Sequence, residues 1–357
     1  MAFAAVSALS TSYRARQRRV TASLSERARL EMNSGNIRGA ILAYRAALDL
    51  SPGAFSNQLG LAEALIADKR NQEALAYLQV LWDQQPENGK VNLELARTYV
   101  GLKDNDQAIR HYQNAIYAVW DTDTDGNRRA VRIELVQYLL NHGAIAQADG
   151  ELVALAGNLP EEPTLRNQVA ALFVLAGDYS RAVAQYQRVL SVDPKNKDAL
   201  TGAGRAAFLA GRYASAERYL KEVVAPNSTE PDLVNMLSTA KLVLDVDPLD
   251  TRISDSERRS RTQDAFQTAV RRLNNCLNQH HQMSSELQNA VHELRERQNT
   301  VQAKLNDSSL LQNQDLSNTT LEFAFAIEKT TEPFCGPPSG KDLALFLMSK
   351  GRGEVER

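Results

Sequence analysis

Residues 169–194 read VAALFVLAGDYSRAVAQYQRVLSVDP, and this stretch decides the fold class. Two apolar segments of helical character flank Gly177, which stands where a helix can end in the left-handed conformation at the lowest cost. Each segment carries a small residue, Ala170 or Ala182, that lets two helices approach closely, and Pro194 ends the second segment. The stretch therefore predicts a pair of packed helices joined by a glycine turn.

The same pattern returns at a fixed spacing along the chain. Prolines that end helical segments lie at Pro52 and Pro86, and again at Pro160 and Pro194, with a step of 34 residues within each pair. The small residues of the second helices are Ala40, Ala74, Ala108, Ala148, Ala182 and Ala216. The large residues one turn after them are Tyr44, Leu78, Tyr112, Leu152, Tyr186 and Leu220. Large side chains at this spacing are expected to fill the grooves between stacked hairpins.

Six such units in register resemble the tetratricopeptide-repeat (TPR) family of bacterial helical repeat proteins. The units lie at residues 21–54, 55–88, 89–122, 129–162, 163–196 and 197–230. The resemblance implies an all-α, right-handed superhelix with a concave groove, and residues 231–357 are expected to form a C-terminal helical cap. The register slips by six residues across residues 120–128. We therefore expect a longer second helix or a protruding loop in the third unit.

Residues 1–20 are predicted to be an N-terminal leader. An apolar stretch of nine residues precedes Arg14, Arg16, Arg18 and Arg19. This stretch is too short to span a bilayer, and a secretory signal carries its positive charge before the apolar segment. A disordered leader is the favoured interpretation, and the remnant of a membrane anchor or export signal is the alternative. The compartment, extracytoplasmic or cytoplasmic, stays open for the same reason.

The charge balance and the motifs argue against several classes of function. Lys and Arg total 41 against 43 for Asp and Glu, so no strong field favours nucleic acid. The sequence contains no motif for nucleophilic catalysis, phosphate binding or dinucleotide binding, so we expect neither an enzyme nor a cofactor. Cys276 and Cys335 lack the spacing of metal ligands, and the adjacent His280 and His281 point apart on a helix. No metal site is therefore predicted.

Residues 121–126, DTDTDG, match the first half of an EF-hand calcium loop. A complete loop needs a glutamate at its twelfth position, where this chain has Arg132. The favoured interpretation is a polar connection that caps the next helix, and a weak calcium sensor is the alternative.

The C-terminal third is predicted to contain further helices. Apolar residues at helical spacing lie within residues 233–244, 265–277 and 283–305, and the first two helices are expected to pair. The third is expected to pack against the array, with dimerisation as the alternative. The polar residues 306–320 predict a loop or weak helix, and residues 333–338 predict a rigid turn before a last helix at 342–348.

The rigid turn is expected to bring Cys335 to Cys276. In an oxidising compartment the pair forms a disulfide, whereas in the cytosol the two residues remain buried thiols.

The groove that the resemblance implies is the remaining candidate site, on the exposed face of the first helix of each unit. The polar candidates are Glu63, Glu94, Arg97, Glu134, Gln137, Asn167, Gln168 and Arg205. The apolar candidates between them are Leu59, Leu93, Ile133 and Phe208. We therefore expect a non-enzymatic scaffold or adaptor that binds a peptide or helix of a partner protein in this groove. A regulatory or assembly subunit of an enzyme complex is the alternative, and the oligomeric state stays open.

Overall fold

The computed structural model describes residues 2–225, 229–279, 285–306 and 314–353. Within these ranges the chain forms helices and no strand, apart from an isolated bridge between Asn88 and Val119. The predicted all-α TPR fold is confirmed. His280 and His281, and residues 307–313 of the predicted loop or weak helix, lie outside the described residues. The chain divides into two compact units, residues 1–158 and 159–357, which we call unit 1 and unit 2.

Unit 1 contains α1 (Ala2–Asn33), α2 (Ile37–Leu50), α3 (Phe55–Ala67), α4 (Asn71–Gln84), α5 (Gly89–Leu102), α6 (Asn105–Tyr117), α7 (Thr124–Asn141) and α8 (Ile145–Ala156). Unit 2 contains α9 (Pro163–Ala176), α10 (Tyr179–Val192), α11 (Lys197–Leu209), α12 (Tyr213–Val223), α13 (Pro231–Val246), α14 (Asp255–Gln279), α15 (Ser285–Asn306), α16 (Gln314–Cys335) and α17 (Gly340–Gly353).

The helices of unit 1 pack in sequence order, each against the next. The alanines of the repeat pattern in this unit, including Ala40 and Ala74, are fully buried between helices. Gly60 shows how a large residue fits the groove, because a Cβ at that position would overlap the ring of Tyr44. Small and large side chains therefore alternate across the helix pairs, as the repeat pattern predicts.

Two turns of unit 1 lack the glycine of the repeat pattern. Lys69 and Lys103 take its place and adopt the left-handed conformation, with φ of 60° and 62°. The backbone N–H of Lys103 bonds to a carbonyl near the end of α5, and that of Lys69 bonds to Ile66. The turn geometry is thus kept at both positions, at the steric cost that glycine avoids.

Two expectations for unit 1 need correction. The leader is not disordered over its described part, because α1 is continuous from Ala2 to Asn33 and includes the first helix of the first repeat. The register slip at 120–128 lengthens α7, the first helix of the fourth unit, rather than α6. Helix α7 begins at Thr124, ahead of the predicted boundary at residue 129, because Asp123 caps its first turn.

Unit 2 continues the repeat through α9 to α13. The ring of Tyr186 lies over Gly202, and Leu220 lies over Gly204, so a Cβ at either glycine would overlap its neighbour. Both predicted turn glycines of this unit, Gly177 and Gly211, have positive φ.

The C-terminal helices pair differently from the expected order. Helix α13 packs against α12 and α17 and has little contact with α14, its expected partner, whereas α14 packs along α16. Helix α15 packs against α16. Residues 314–320, predicted as a loop or weak helix, are helical, and α16 continues through Pro333 to Cys335, where a turn was predicted. Pro333 has no N–H to donate to the preceding turn, and α16 ends two residues later, before the turn that begins at Gly336.

A buried polar cluster lies between α14, α16 and α17. Glu328 has no exposed surface, and its Oε2 lies 2.9 Å from Nε of Arg272. Arg272 also donates hydrogen bonds to the hydroxyl of Thr331 and the carbonyl of Gly336, at 2.8 and 2.9 Å. Burial, reinforced by the neighbouring carboxyl of Asp342, raises the pKa of Glu328 to about 8. Arg272 therefore faces two carboxyl groups that compete for one charge.

A substitution at Ala182 tests the close helix contact in unit 2. Ala182 is fully buried on α10, so Ala182→Trp forces a ring into a filled space and is expected to cost about 1–3 kcal/mol. Ala184→Trp is the matched control, because Ala184 is exposed on the same helix. Thermal unfolding followed by circular dichroism measures both. Equal melting curves for the two variants would contradict the packing.

Candidate functional site

The candidate residues of unit 1 lie on three successive first helices. Leu59 and Glu63 are on α3, and Ile133, Glu134 and Gln137 are on α7. Leu93, Glu94 and Arg97 are on α5, between the other two helices. The repeat brings these helices side by side, which places residues from distant parts of the sequence on one face.

A continuous chain of ion pairs crosses this face. Lys90 Nζ lies 2.7 Å from Glu63 and 2.8 Å from Glu94. Arg97 pairs with Glu94 at 2.9 Å and binds Glu134 through two parallel hydrogen bonds of 2.9 and 2.7 Å. We call Glu63, Lys90, Glu94, Arg97 and Glu134 the charged ladder. It joins α3, α5 and α7 by charge-assisted contacts, and the Arg97–Glu134 pair is bidentate.

The electrostatics of the ladder favour the charged forms of Lys90, Arg97 and Glu134. Burial alone lowers the pKa of Lys90, but Glu94 and Glu63 outweigh it, so the net pKa is raised. The hydrogen bonds that Arg97 donates to Glu134 raise the pKa of Arg97 despite burial. Burial also favours the neutral form of Glu134, yet Arg97 holds the pKa of Glu134 below its ordinary value.

Tyr112 supports the ladder from α6. Its hydroxyl donates a hydrogen bond of 2.8 Å to Glu134, and burial followed by the Glu134 charge raises the pKa of the phenol. Tyr112 and Lys90 were not among the predicted site residues. The sequence could have indicated Lys90, because Lys90, Glu94 and Arg97 have the spacing of helical ion pairs. The position of Tyr112 in the repeat predicts only a groove-filling side chain.

Three of the predicted groove residues are buried rather than exposed. Leu93, Glu94 and Ile133 have 7%, 3% and 8% of their surface accessible. Leu93 and Ile133 belong to the helix packing, and Glu94 is covered by its two cationic partners. Leu59, Glu63, Arg97 and Glu134 are half-buried, and Gln137 is exposed. The face is therefore more polar than the sequence predicts.

The candidate residues of unit 2 form no comparable network. Asn167 on α9 donates a hydrogen bond of 3.3 Å to Asn196, and Gln168 is exposed. Phe208 on α11 packs edge-to-face on Tyr213, with ring centroids 5.6 Å apart. Arg205 is exposed. No hydrogen bond or ion pair among the described residues joins these four side chains to one another.

The residues of the calcium-like motif have structural partners. Asp123 Oδ1 accepts a hydrogen bond of 3.1 Å from the backbone N–H of Gly126, which caps α7 as predicted. Arg132, at the position of the missing glutamate, donates to Glu151 at 3.0 Å. Over the described part of the chain, no group of three or more His, Cys, Asp or Glu side chains converges as metal ligands.

The two cysteines lie together in unit 2. Cys276 on α14 and Cys335 at the end of α16 form a bonded pair with Cα atoms 5.5 Å apart. Arg272 lies one turn before Cys276, so the bond and the buried polar cluster connect the same two helices. Separately, none of the described helices is both long and apolar enough to cross a membrane.

The stacked helix pairs and their polar face define a helical-repeat protein. Two family models, both described as tetratricopeptide repeat, match residues 65–119 and 173–239, and residues 25–89. The chain therefore contains tetratricopeptide repeats over these residues. Repeats of this kind are generally non-catalytic and imply a protein-interaction scaffold.

Several known proteins are similar to this chain. A putative cellulose synthase operon protein C of Escherichia coli O157:H7 is 23% identical over 222 residues, which cover 62% of this chain and 19% of that protein. This chain therefore spans about a fifth of the length of its curated relative. The crystal structure of PilW, a type IV pilus biogenesis factor, matches with 20% identity and a TM-score of 0.43, covering 60% of this chain and 98% of PilW. Pseudomonas aeruginosa pilF matches with 18% identity and a TM-score of 0.43, covering 61% and 98%.

Proposed function

We propose that the chain is a non-enzymatic adaptor that binds a peptide or helix of a partner protein along the charged ladder. The observation that carries this proposal is the ladder itself, in which Lys90 and Arg97 are held in place yet keep 42% and 38% of their side-chain surface exposed. Ordered side chains lose less conformational entropy when a ligand binds. The face is therefore preorganised for a polar ligand.

The two cations keep hydrogen-bonding capacity for a partner. An ammonium group has three N–H donors and a guanidinium has five. Lys90 directs its ammonium group to two carboxylates, and Arg97 uses three of its nitrogen atoms for Glu94 and Glu134. The remaining donors point to a peptide carbonyl or carboxylate as the group that this face would bind.

The alternatives have less support. A subunit of an enzyme complex would be the same adaptor with an enzyme as its partner. A calcium sensor at residues 121–126 would have to break the Asp123 cap and to tolerate Arg132 beside the ion. No observation favours that role.

Neutralising the candidate face should abolish partner capture. We would replace Arg97 and Glu134 together by Gln, which removes both members of the main ion pair and so leaves no unpaired charge from it. The tagged chain and the variant are used as baits in native lysate, and bound proteins are compared by mass spectrometry. The expected result is loss of the specific partner with unchanged helicity.

The matched control carries the same charge changes away from the ladder, at Arg110 and Glu222, which are both exposed on second helices. This control is expected to capture the partner as the original chain does. Capture that survives the ladder changes but is lost in the control would place the binding site on the second helices and refute the proposal.

A further inference from the structure

A second pocket in unit 1 lies outside the charged ladder, where α6 ends, α7 begins and α8 ends. Its volume is about 210 Å³, and its lining includes Arg128, Arg129 and Arg132. Asp125 is the one carboxylate in that lining. The pocket therefore carries net positive charge in a concave site, where an anionic group is attracted most strongly.

The register slip between the third and fourth repeat units builds this pocket. The lengthened start of α7 carries Arg128 and Arg129. Hydrogen bonds of Val119 and Trp120 hold the connection between α6 and α7 in place. The backbone of Val119 pairs with Glu87 and Gly89 at 2.9 and 2.8 Å, and the indole of Trp120 donates to the carbonyl of Ala115. The pocket is thus preformed by backbone contacts rather than by a loose loop.

The arginines differ in how fully their donors are used. Arg132 is 17% exposed and pairs with Glu151. Arg128 donates to the carbonyl of Ala118 at 3.1 Å, but its Nε is buried without a hydrogen-bond partner. Arg129 is half-buried beside it. A buried donor without a partner is costly, and a carboxylate entering the pocket would satisfy it.

An exposed apolar side chain lines the same pocket. Tyr117 belongs to the lining and has 76% of its surface accessible. Val119, two residues further along in the connection to α7, has 62% of its surface accessible. Tyr117 also lines a neighbouring open depression with Pro86 and Ala118. Anionic recognition and apolar contact are therefore available side by side.

We infer that this pocket binds an acidic segment of a partner protein, with a carboxylate among the three arginines and an adjacent apolar side chain on Tyr117 and Val119. The surface goes beyond the charged ladder and gives unit 1 a second contact. The charge of the lining selects an acidic rather than a basic segment.

A short blocked peptide of repeated Glu-Glu-Leu tests the inference. The peptide carries a fluorophore, and fluorescence anisotropy measures its binding to the full chain at low ionic strength. Arg129→Gln is expected to weaken binding about tenfold, and Tyr117→Ala is expected to weaken it as well. The same peptide with Gln in place of every Glu is expected not to bind.

Two further variants keep the test specific. Arg110→Gln removes an exposed arginine from α6 at a distance from the pocket and is expected to leave the affinity unchanged. The pair Arg97→Gln and Glu134→Gln changes the charged ladder and is also expected to leave it unchanged. Equal binding of the peptide by Arg129→Gln and by the original chain would overturn the inference. Loss of binding in the ladder variant would also overturn it, because the peptide would then occupy the ladder.

Discussion

Reduction of the bond between Cys276 and Cys335 is expected to lower the free energy of unfolding of α14–α17 by roughly 4 kcal/mol. The two residues are 59 positions apart, and a bond across so long a loop removes many conformations from the unfolded chain. The C-terminal helices depend on this restraint more than the repeats do, because they lack a repeat neighbour on each side.

Hydrogen exchange measures the effect where it arises. Amides of α14 and α16 are expected to lose protection when a reductant is added, whereas amides of α3 to α6 are expected to keep theirs. The double variant Cys276→Ala and Cys335→Ala should match the reduced protein and should not respond to the reductant. Identical protection of oxidised and reduced protein would refute the stabilising role.

The bond also bears on the compartment. We propose that the chain works in an oxidising compartment, because disulfides persist there and are rare in the cytosol. Alkylation of protein from its native source, under denaturing and non-reducing conditions, should modify neither cysteine. Alkylation of both thiols would refute the proposal.

Arg272→Met is expected to destabilise unit 2 by about 3–5 kcal/mol at pH 8, and by less at pH 5. The variant removes Arg272 from beside the buried Glu328 and the half-buried Asp342. The pKa of Glu328 is raised to about 8 from an ordinary value of 4.5, and that of Asp342 is also raised, chiefly by burial. Without Arg272 both pKa values should rise further, since the arginine lowers them.

The direction of the pH dependence follows from proton binding. Between pH 4.5 and about 8 the folded state holds a proton on Glu328 that the unfolded state releases. Stability therefore falls as the pH rises through this window, by up to about 1.4 kcal/mol per pH unit for one group. The other charges near the cluster on α14 and α17 belong to Arg271, Asp264 and Lys341. Of these, Arg271 lowers the pKa of Asp342, as Arg272 does.

Chemical denaturation at several pH values provides the measurement. Arg271→Met is the matched control, since Arg271 is exposed on the same helix, and it is expected to change stability by about 0.5 kcal/mol or less. Adding Glu328→Leu to Arg272→Met should recover much of the loss, because the buried carboxyl is removed with its partner. A destabilisation by Arg272→Met that does not change with pH would contradict the shared-charge explanation.

The repeat pattern was sufficient to predict the helices of the array. Ala40, Ala74 and Ala182 are fully buried at the helix contacts, and Gly177 has the left-handed conformation that its position requires. Each repeat contacts mainly its neighbours, so a pattern within about 34 residues contains most of the information that its packing needs. The outer limits of the array and of the cap, at residues 20 and 230, stay predictions.

The candidate face could be predicted only in part. Counting along the units placed Glu63, Arg97 and Glu134 on successive first helices, and the structure joins them through Lys90 and Glu94. The count did not reveal that Glu94, Leu93 and Ile133 are buried. Burial depends on how closely neighbouring helices approach, and the spacing of residues within one helix does not specify that distance.

The sequence by itself determined the helical class, the order of the repeats and the capping role of Asp123, because these depend on contacts between residues close along the chain. Only the tertiary structure decided that the register slip lengthens α7, that α17 rather than α14 covers α13, and that Arg272, Glu328 and Asp342 share one buried site. Those features depend on side chains that are distant in sequence and compete for the same space and the same charge, and such competition is settled only when the helices have packed.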